Sequence, residues 1–282
     1  MGRSPTDNSF YVHGTSTDEQ RRLTDMNTLI NEGCLRELAL QGGERVLDVA
    51  GGLGQFTREI ARAVGPTGTV IGVERDAAQL AEARKQAAAQ GEADLVEFRE
   101  GDAFDLPLAK SEWGSFDVVH TRFLLEHVSD PLGVVKQMVA AAKPGGRITL
   151  ADDDHDVMRL WPEPPGATDA WRAYLRAFDR AGNDPYVGRR LVQLLHEAGA
   201  KPQRNSSVFF AACAGNEKFA GLVSNLVGIM SGAREAVLKY GLYDPTYYDA
   251  ALESIREWGE RPDAAFWCGI CWVEGVRGAD TN

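Results

Sequence analysis

Residues Val46-Leu47-Asp48-Val49-Ala50-Gly51-Gly52-Leu53-Gly54-Gln55-Phe56-Thr57 pass from an apolar run through a glycine-rich bend into a helix start. No other segment constrains the fold so strongly. Glycines let backbone amides approach a ligand closely and adopt conformations closed to other residues. A strand that turns directly into a helix is the unit of an open α/β sheet, where ligands sit beyond the carboxyl ends of the strands, at the switch point beside the first. The bend alone also fits a plain strand-to-helix turn, so its neighbours must decide.

Those neighbours alternate. Short apolar strands are predicted at residues 45–50, 69–74, 95–99, 116–121 and 147–151, with helices at 55–64, 77–90 and 132–142 between them. Strands apolar on both faces and separated by helices predict a doubly wound α/β fold with a mostly parallel sheet covered on each side. A helix at 18–40 precedes this core. Beyond residue 151 come a proline-rich connector at 161–166, helices at 167–181 and 187–198, and a strand at 205–212. A helical stretch at 217–258, broken near Gly232, Gly241 and Pro245, leads to a last strand at 264–273. The expected organisation is an N-terminal lid segment and helix (1–43), a ligand-binding core (44–152), and the rest of the sheet (153–282). Helical cap insertions at about 155–186 and 215–262 are expected to fold over one end of the sheet.

The 282 residues include 30 Lys plus Arg against 41 Asp plus Glu, a net charge of −11. Such a chain is not attracted to nucleic acid or to an anionic membrane without specific contacts. Residues 1–9 are polar and no run is apolar for long enough to span a bilayer, so a soluble, cytoplasmic protein is expected, as monomer or homodimer. Four cysteines are too few and too scattered for a disulfide framework. Cys268 and Cys271 fall in a predicted strand, where an odd spacing sends them to opposite faces rather than to a shared metal.

Glu74 ends the second strand about twenty residues after the glycine bend, the place for a carboxylate that accepts from both hydroxyls of a ribose. The third strand leads into Gly101-Asp102-Ala103, where Asp102 suits an adenine amino group and the Ala103 amide its ring. With these motifs, Phe116-Asp117-Val118-Val119 through Leu125-Glu126-His127-Val128, and Lys143-Pro144-Gly145-Gly146, the chain resembles class I S-adenosylmethionine-dependent methyltransferases, in the branch of ubiquinone/menaquinone-type and small-molecule enzymes. The resemblance covers about residues 44–152. Ala50 departs from it, standing where the commonest form of the bend has glycine.

The resemblance implies a Rossmann-like methyltransferase fold with an antiparallel last strand, and S-adenosyl-L-methionine as cofactor. It implies cofactor contacts from Tyr11, Ala50, Gly51, Gly52, Gln55, Glu74, Arg75, Gln79, Asp102, Ala103, Thr121 and Arg122. Of these, Glu74 would hold the ribose, Arg75 and Gln79 flank the adenine, and Thr121 and Arg122 face the methionine end. Methyl transfer is an in-line displacement that needs alignment, exclusion of water and, for a protonated acceptor, a base. Candidates are Tyr11 and His13 in a lid-like segment, Glu126 and His127 after the fourth strand, and Asp154 and His155 after the fifth. Phe123, Asp154, His155, Tyr186 and Arg189 are expected at the acceptor, although Arg189 is equally suited to pinning the cap. No metal is expected: in Asp152-Asp153-Asp154-His155-Asp156 side chains that face solvent or cap a turn account for the acidic run. The function expected is methyl transfer to N, O or C of a small aromatic or heterocyclic metabolite, indole-, phenol- or quinone-like. The alternatives are a non-catalytic S-adenosylmethionine-binding partner and a nicotinamide-dependent oxidoreductase on a similar sheet.

Overall fold

The computed structural model describes Asn27 and residues 30–279. Helix α1 (residues 30–38) leads into β1 (Arg45–Val49), and the core follows as α2 (Gln55–Val64), β2 (Thr69–Glu74), α3 (Ala77–Ala89), β3 (Glu97–Glu100), β4 (Phe116–Arg122), α4 (Pro131–Ala141) and β5 (Ala142–Asp153). Then come a short β6 (Arg159–Trp161), α5 (Ala167–Arg180), α6 (Leu191–Glu197), β7 (Ala200–Cys213), α7 (Phe219–Gly232), α8 (Arg234–Lys239), α9 (Pro245–Gly259) and β8 (Ala265–Arg277).

The strands form one sheet in the order β3-β2-β1-β4-β5-β8, parallel from β3 to β5. β8 runs antiparallel to β5 and carries both β7 and β6 as antiparallel partners. The doubly wound sheet with an antiparallel last strand is therefore as the sequence predicts. Side chains of β1 alternate between faces: Leu47 and Val49 join Val119 and Ile148 in one core, while Val46 joins Val118, Phe56 and Ile60 in the other. Burying each such side chain contributes about 1.5–3 kcal/mol relative to exposing it, and both faces need a helical layer to do so. A third apolar cluster unites α5, α7 and α9 around Tyr248, Trp258 and Phe219.

Caps explain where helices begin. Asp76 accepts from the amides of Ala78 and Gln79 to start α3, and Asp244 does the same for Thr246 and Tyr247 ahead of Pro245. The expected breaks at Gly232, Gly241 and Pro245 thus become the joints between α7, α8 and α9. Three differences from the predicted elements have physical causes. β5 begins at Ala142, because Lys143-Pro144-Gly145-Gly146 enters the sheet through an irregularity beside Phe116. β7 extends back over Pro202, a residue tolerated because this strand has β8 on only one side. The helix predicted from 187 opens as a 3-10 turn, Val187–Arg190, before α6. Cys268 and Cys271 do diverge, packing against the helical cluster and the core of the opposite face respectively. Among the described residues no helix is long and apolar enough to cross a membrane.

Candidate active site

The bend after β1 is held open by backbone geometry. Ala50, Gly52 and Gly54 have φ of 63°, 56° and 67°, so Ala50 occupies a left-handed conformation that costs an L-residue free energy. Gly51 has no room for a side chain, since a Cβ there would lie 2.7 Å from Thr57 Oγ1. That hydroxyl is occupied, donating to the buried Asp48 carboxylate at 2.6 Å. Burial outweighs this hydrogen bond and the nearby Arg122 charge, and pushes the Asp48 carboxyl up to about 6.

At the end of β2, Glu74 accepts from the Gly52 amide at 2.9 Å and from the Asp76 amide at 2.8 Å. Burial raises its pKa. The carboxylate faces a cleft of about 490 Å³ beyond the carboxyl ends of β1, β2 and β4, lined also by Ala50, Gly51, Gly52, Arg75, Gln79, Arg122 and Phe123. A contiguous recess of about 90 Å³ shares Ala50, Glu74 and Arg75 with the cleft and adds Asp102 and Ala103. Asp102 turns one carboxylate oxygen onto the Phe104 amide at 2.9 Å, which fixes the loop after β3.

Nine of the cofactor residues named from the sequence thus line one continuous hollow: Ala50, Gly51, Gly52, Glu74, Arg75, Gln79, Asp102, Ala103 and Arg122. Two others do not. Thr121 is fully buried and donates to the Val49 carbonyl at 2.8 Å, tying β4 to β1 behind the bend. Gln55 accepts from Asn27 at 2.7 Å and is absent from the lining. Tyr11 and His13 lie outside the described residues. Sequence reasoning missed Asn27, Phe56 and Leu124, which complete the cleft. Phe56 sits in the first turn after the bend and was legible there. Asn27 was not, because its place depends on α1 docking against Arg122, which bonds Asn27 at 2.6 Å and Asn31 at 3.0 Å while lying 4.3 Å over the Phe56 ring.

Phe123 forms the cleft's far wall with φ of 55°, a strained setting for a bulky residue. It also lines a second, mainly apolar chamber of about 50 Å³ between the sheet and α7, together with Asp153, His155, Trp171, Phe210 and Phe266. This chamber shares His155, Met158, Trp171 and Leu226 with a wider recess of about 360 Å³. Between cleft and chamber stands a carboxylate flanked by imidazoles. Glu126 is buried; one oxygen is 3.4 Å from His127 Nε2, on the cleft side, and the other 3.1 Å from His155 Nε2, on the chamber side. Burial lowers the His155 pKa against the pull of Asp153, Asp154 and Asp156, and Trp171, Tyr174 and Phe178 present edges to its ring. A neutral His155 donating from Nε2 to Glu126 keeps its lone pair on Nδ1.

The structure places Asp154, Tyr186 and Arg189 elsewhere than in either hollow. Arg189 grips Asp154 through two bonds of 2.7 Å, reaches Asp156 at 2.7 Å, and lies 4.7 Å over the Tyr186 ring. Gly188 makes this possible, because a Cβ there would meet the Asp153 carbonyl at 2.8 Å. These residues latch the loop after β5 to the start of α6, so Arg189 pins through the carboxylates of Asp154 and Asp156.

A family model for methyltransferase domains matches residues 40–182. A demethylmenaquinone methyltransferase of Desulfitobacterium hafniense is 26% identical over 246 residues, 83% of this chain and 94% of that protein. A ubiquinone/menaquinone biosynthesis C-methyltransferase UbiE of Stutzerimonas stutzeri is 36% identical over 45% of this chain and 52% of its own length. The match thus spans about half the length of the UbiE relatives. Among solved structures, the YcgJ protein of Bacillus subtilis shares the fold with a TM-score of 0.57 at 18% identity, covering 88% of this chain and 98% of that one. The chain belongs to the methyltransferase-domain family, among the class I S-adenosylmethionine-dependent methyltransferases.

Proposed function

We propose that the protein transfers a methyl group from S-adenosylmethionine to a small, aromatic or heterocyclic acceptor held in the chamber beyond Phe123. The observation that carries this reading is the adjacency of two hollows with one wall in common, the cleft on the glycine bend and the apolar chamber under α7. A protein that only bound the cofactor would have no use for the second.

The residues of the cleft suit the cofactor. The bare glycine bend lets an adenosyl ligand approach the main chain, Glu74 offers carboxylate oxygens to ribose hydroxyls, and Asp102 with the Ala103 amide suits an adenine edge. Arg122 supplies a cation for the amino-acid carboxylate. When bound, S-adenosylmethionine supplies the methyl group on a sulfonium that becomes neutral as it leaves. The chain's own contribution is alignment and dryness: Phe123 and the rings of Trp171, Phe210 and Phe266 exclude water from the acceptor. His155 serves as the base for an acceptor proton, and Glu126 positions it. The acceptor classes considered are indoles, phenols, quinones and amines, methylated at N, O or C.

The test is turnover. Purified protein with labelled S-adenosylmethionine and a panel of those four classes is expected to yield labelled product from at least one of them. Absence of product from all, with the cofactor bound, would turn the reading towards a binding protein.

A further inference from the structure

The two edges of the sheet are built differently. At one end β3 is four residues long and carries Glu97, Arg99 and Glu100, with Arg99 tied to Glu97 at 2.8 Å and to Glu112 at 2.7 Å. A short, charged edge discourages pairing with another strand. At the other end β7 is 14 residues long and, among the described residues, pairs with β8 alone. Lys201, Pro202 and Arg204 protect its beginning, with Arg204 held by Glu37. From Asn205 to Cys213 it has neither charge nor proline, so the outward N–H and C=O groups of that stretch are a template for one more strand. Its side chains agree. Phe210 and Ala212, with Phe266 of β8, face the helical cluster. The alternate residues face away: Phe209 stands opposite Gly269, Ala211 opposite Trp267 and then Arg159, and Cys213 opposite Ala265 and then Trp161. α6 covers this second face beside Val273 and Gly275, where a Cβ would meet Leu195 Cδ1 at 3.1 Å. At Gly269 the three nearest atoms belong instead to Val208 and Phe209. Phe209 is consequently 63% exposed and Trp161 66%, an apolar row of the kind that marks a protein–protein contact.

We propose that β7 pairs antiparallel with β7 of a second copy of this chain, about a twofold axis at Phe209, so that two sheets become one. The occupant follows from charge and symmetry. Phe209 is the midpoint of the uncharged stretch from Asn205 to Cys213. A twofold there sets Phe209 against the partner's Phe209, Ser207 against the partner's Ala211, and Asn205 against the partner's Cys213. No charged side chain meets its like across the pairing, although each chain carries a net charge of −11. Side chains directly opposite in an antiparallel pair have Cβ atoms about 4.5–5.5 Å apart, which brings the two Phe209 rings into contact. The association closes at two copies, because the charged β3 edge offers no second site for growth. One strand a side with its flanking row is smaller than the roughly 20–30 residues of a standard interface, so the dimer dissociates on dilution. The contact backs the strand that carries Phe210 into the chamber wall.

The test is sedimentation equilibrium of the full chain between about 1 and 200 µM. The wild-type protein is expected to pass from monomer towards dimer over that range. Phe209→Lys sets two cations against each other on the axis and is expected to stay monomeric throughout. Its S-adenosylhomocysteine affinity should remain within about twofold of wild type, since Phe209 lines neither the cleft nor the chamber. Ala211→Lys serves as the second variant if the first does not fold. Register is read by cross-linking in a Cys213→Ser background. An equimolar mixture of Ser207→Cys and Ala211→Cys proteins should form a disulfide-linked pair on mild oxidation much faster than either variant alone, because only the mixed pair brings the thiols face to face. A wild-type protein that is monomeric at the highest concentration overturns the proposal. So does a dimer that persists in both lysine variants, which places the contact on another surface, and so does a mixture that links no faster than its separate components. None of these outcomes bears on methyl transfer.

Discussion

Asp48 pays for its place under the glycine bend with a pH-dependent contribution to stability. Its folded-state pKa of about 6 lies above the unfolded value of about 3.9, so the folded protein prefers the protonated carboxyl. That preference contributes fully below about pH 4 and is lost as pH rises through about 6, on the order of 3 kcal/mol. Asp48→Asn, which keeps an acceptor for Thr57, is expected to flatten this slope and to be the more stable protein at pH 7; denaturant titrations at pH 4.5 and 7.5 compare the two. Ala50→Gly should raise stability by about 0.5–1 kcal/mol, because the left-handed backbone then carries no Cβ and the gain exceeds the added chain entropy. A lower thermal midpoint would contradict the φ of 63°. Glu126→Gln is expected to lower kcat by about 100-fold or more through the setting of His155, and to change the KM for S-adenosylmethionine far less, through His127 at the cleft. At this scale the sequence was informative wherever a residue's place follows from its own bend or strand end, as for Glu74 and Asp102 in the lining of the cleft and its recess. It was silent on Asn27, whose position depends on α1 docking, and the resemblance that set Thr121 at the methionine end does not tell that its hydroxyl is taken up by the Val49 carbonyl.

Elements were legible in proportion to how local their causes are. The glycine bend, Asp76 before α3 and Pro245 before α9 act within a few residues, and the predicted boundaries there fall within one residue of those observed. β6 and the early start of β7 depend on β8, more than fifty residues away, so nothing in their own sequence announces them. The latch between Arg189 and Asp154 is of this second kind. Its bidentate geometry joins the loop after β5 to the turn before α6, and the exposed half of Arg189 lessens its worth. Arg189→Ala is expected to cost about 1–2 kcal/mol, chiefly by leaving the buried Asp154 carboxylate without its partner. S-adenosylhomocysteine affinity should not change, because neither residue lines the cleft. A loss of that affinity without a loss of stability would return Arg189 to the site.

For the whole molecule, the sheet creates the cleft at its switch point, and the helices after β5 create the second hollow. The α5, α7 and α9 cluster packs with Ala212 of β7 and Phe266 of β8 and leaves a small, aromatic chamber against Phe123. The fold alone does not choose an acceptor. The chamber lining was the least legible part of the sequence, since Phe123 and residues from β5, α5, α7, β7 and β8 meet there only once the sheet and its helical cover are assembled. The account rests first on the cleft. Calorimetric titration of S-adenosylhomocysteine into the wild-type protein and into Glu74→Ala tests it most directly: saturable one-site binding to the first, weakened by about tenfold or more in a folded second protein, is predicted from the loss of charge-assisted hydrogen bonds. Equal affinity in the two proteins, or no binding to either, would contradict it.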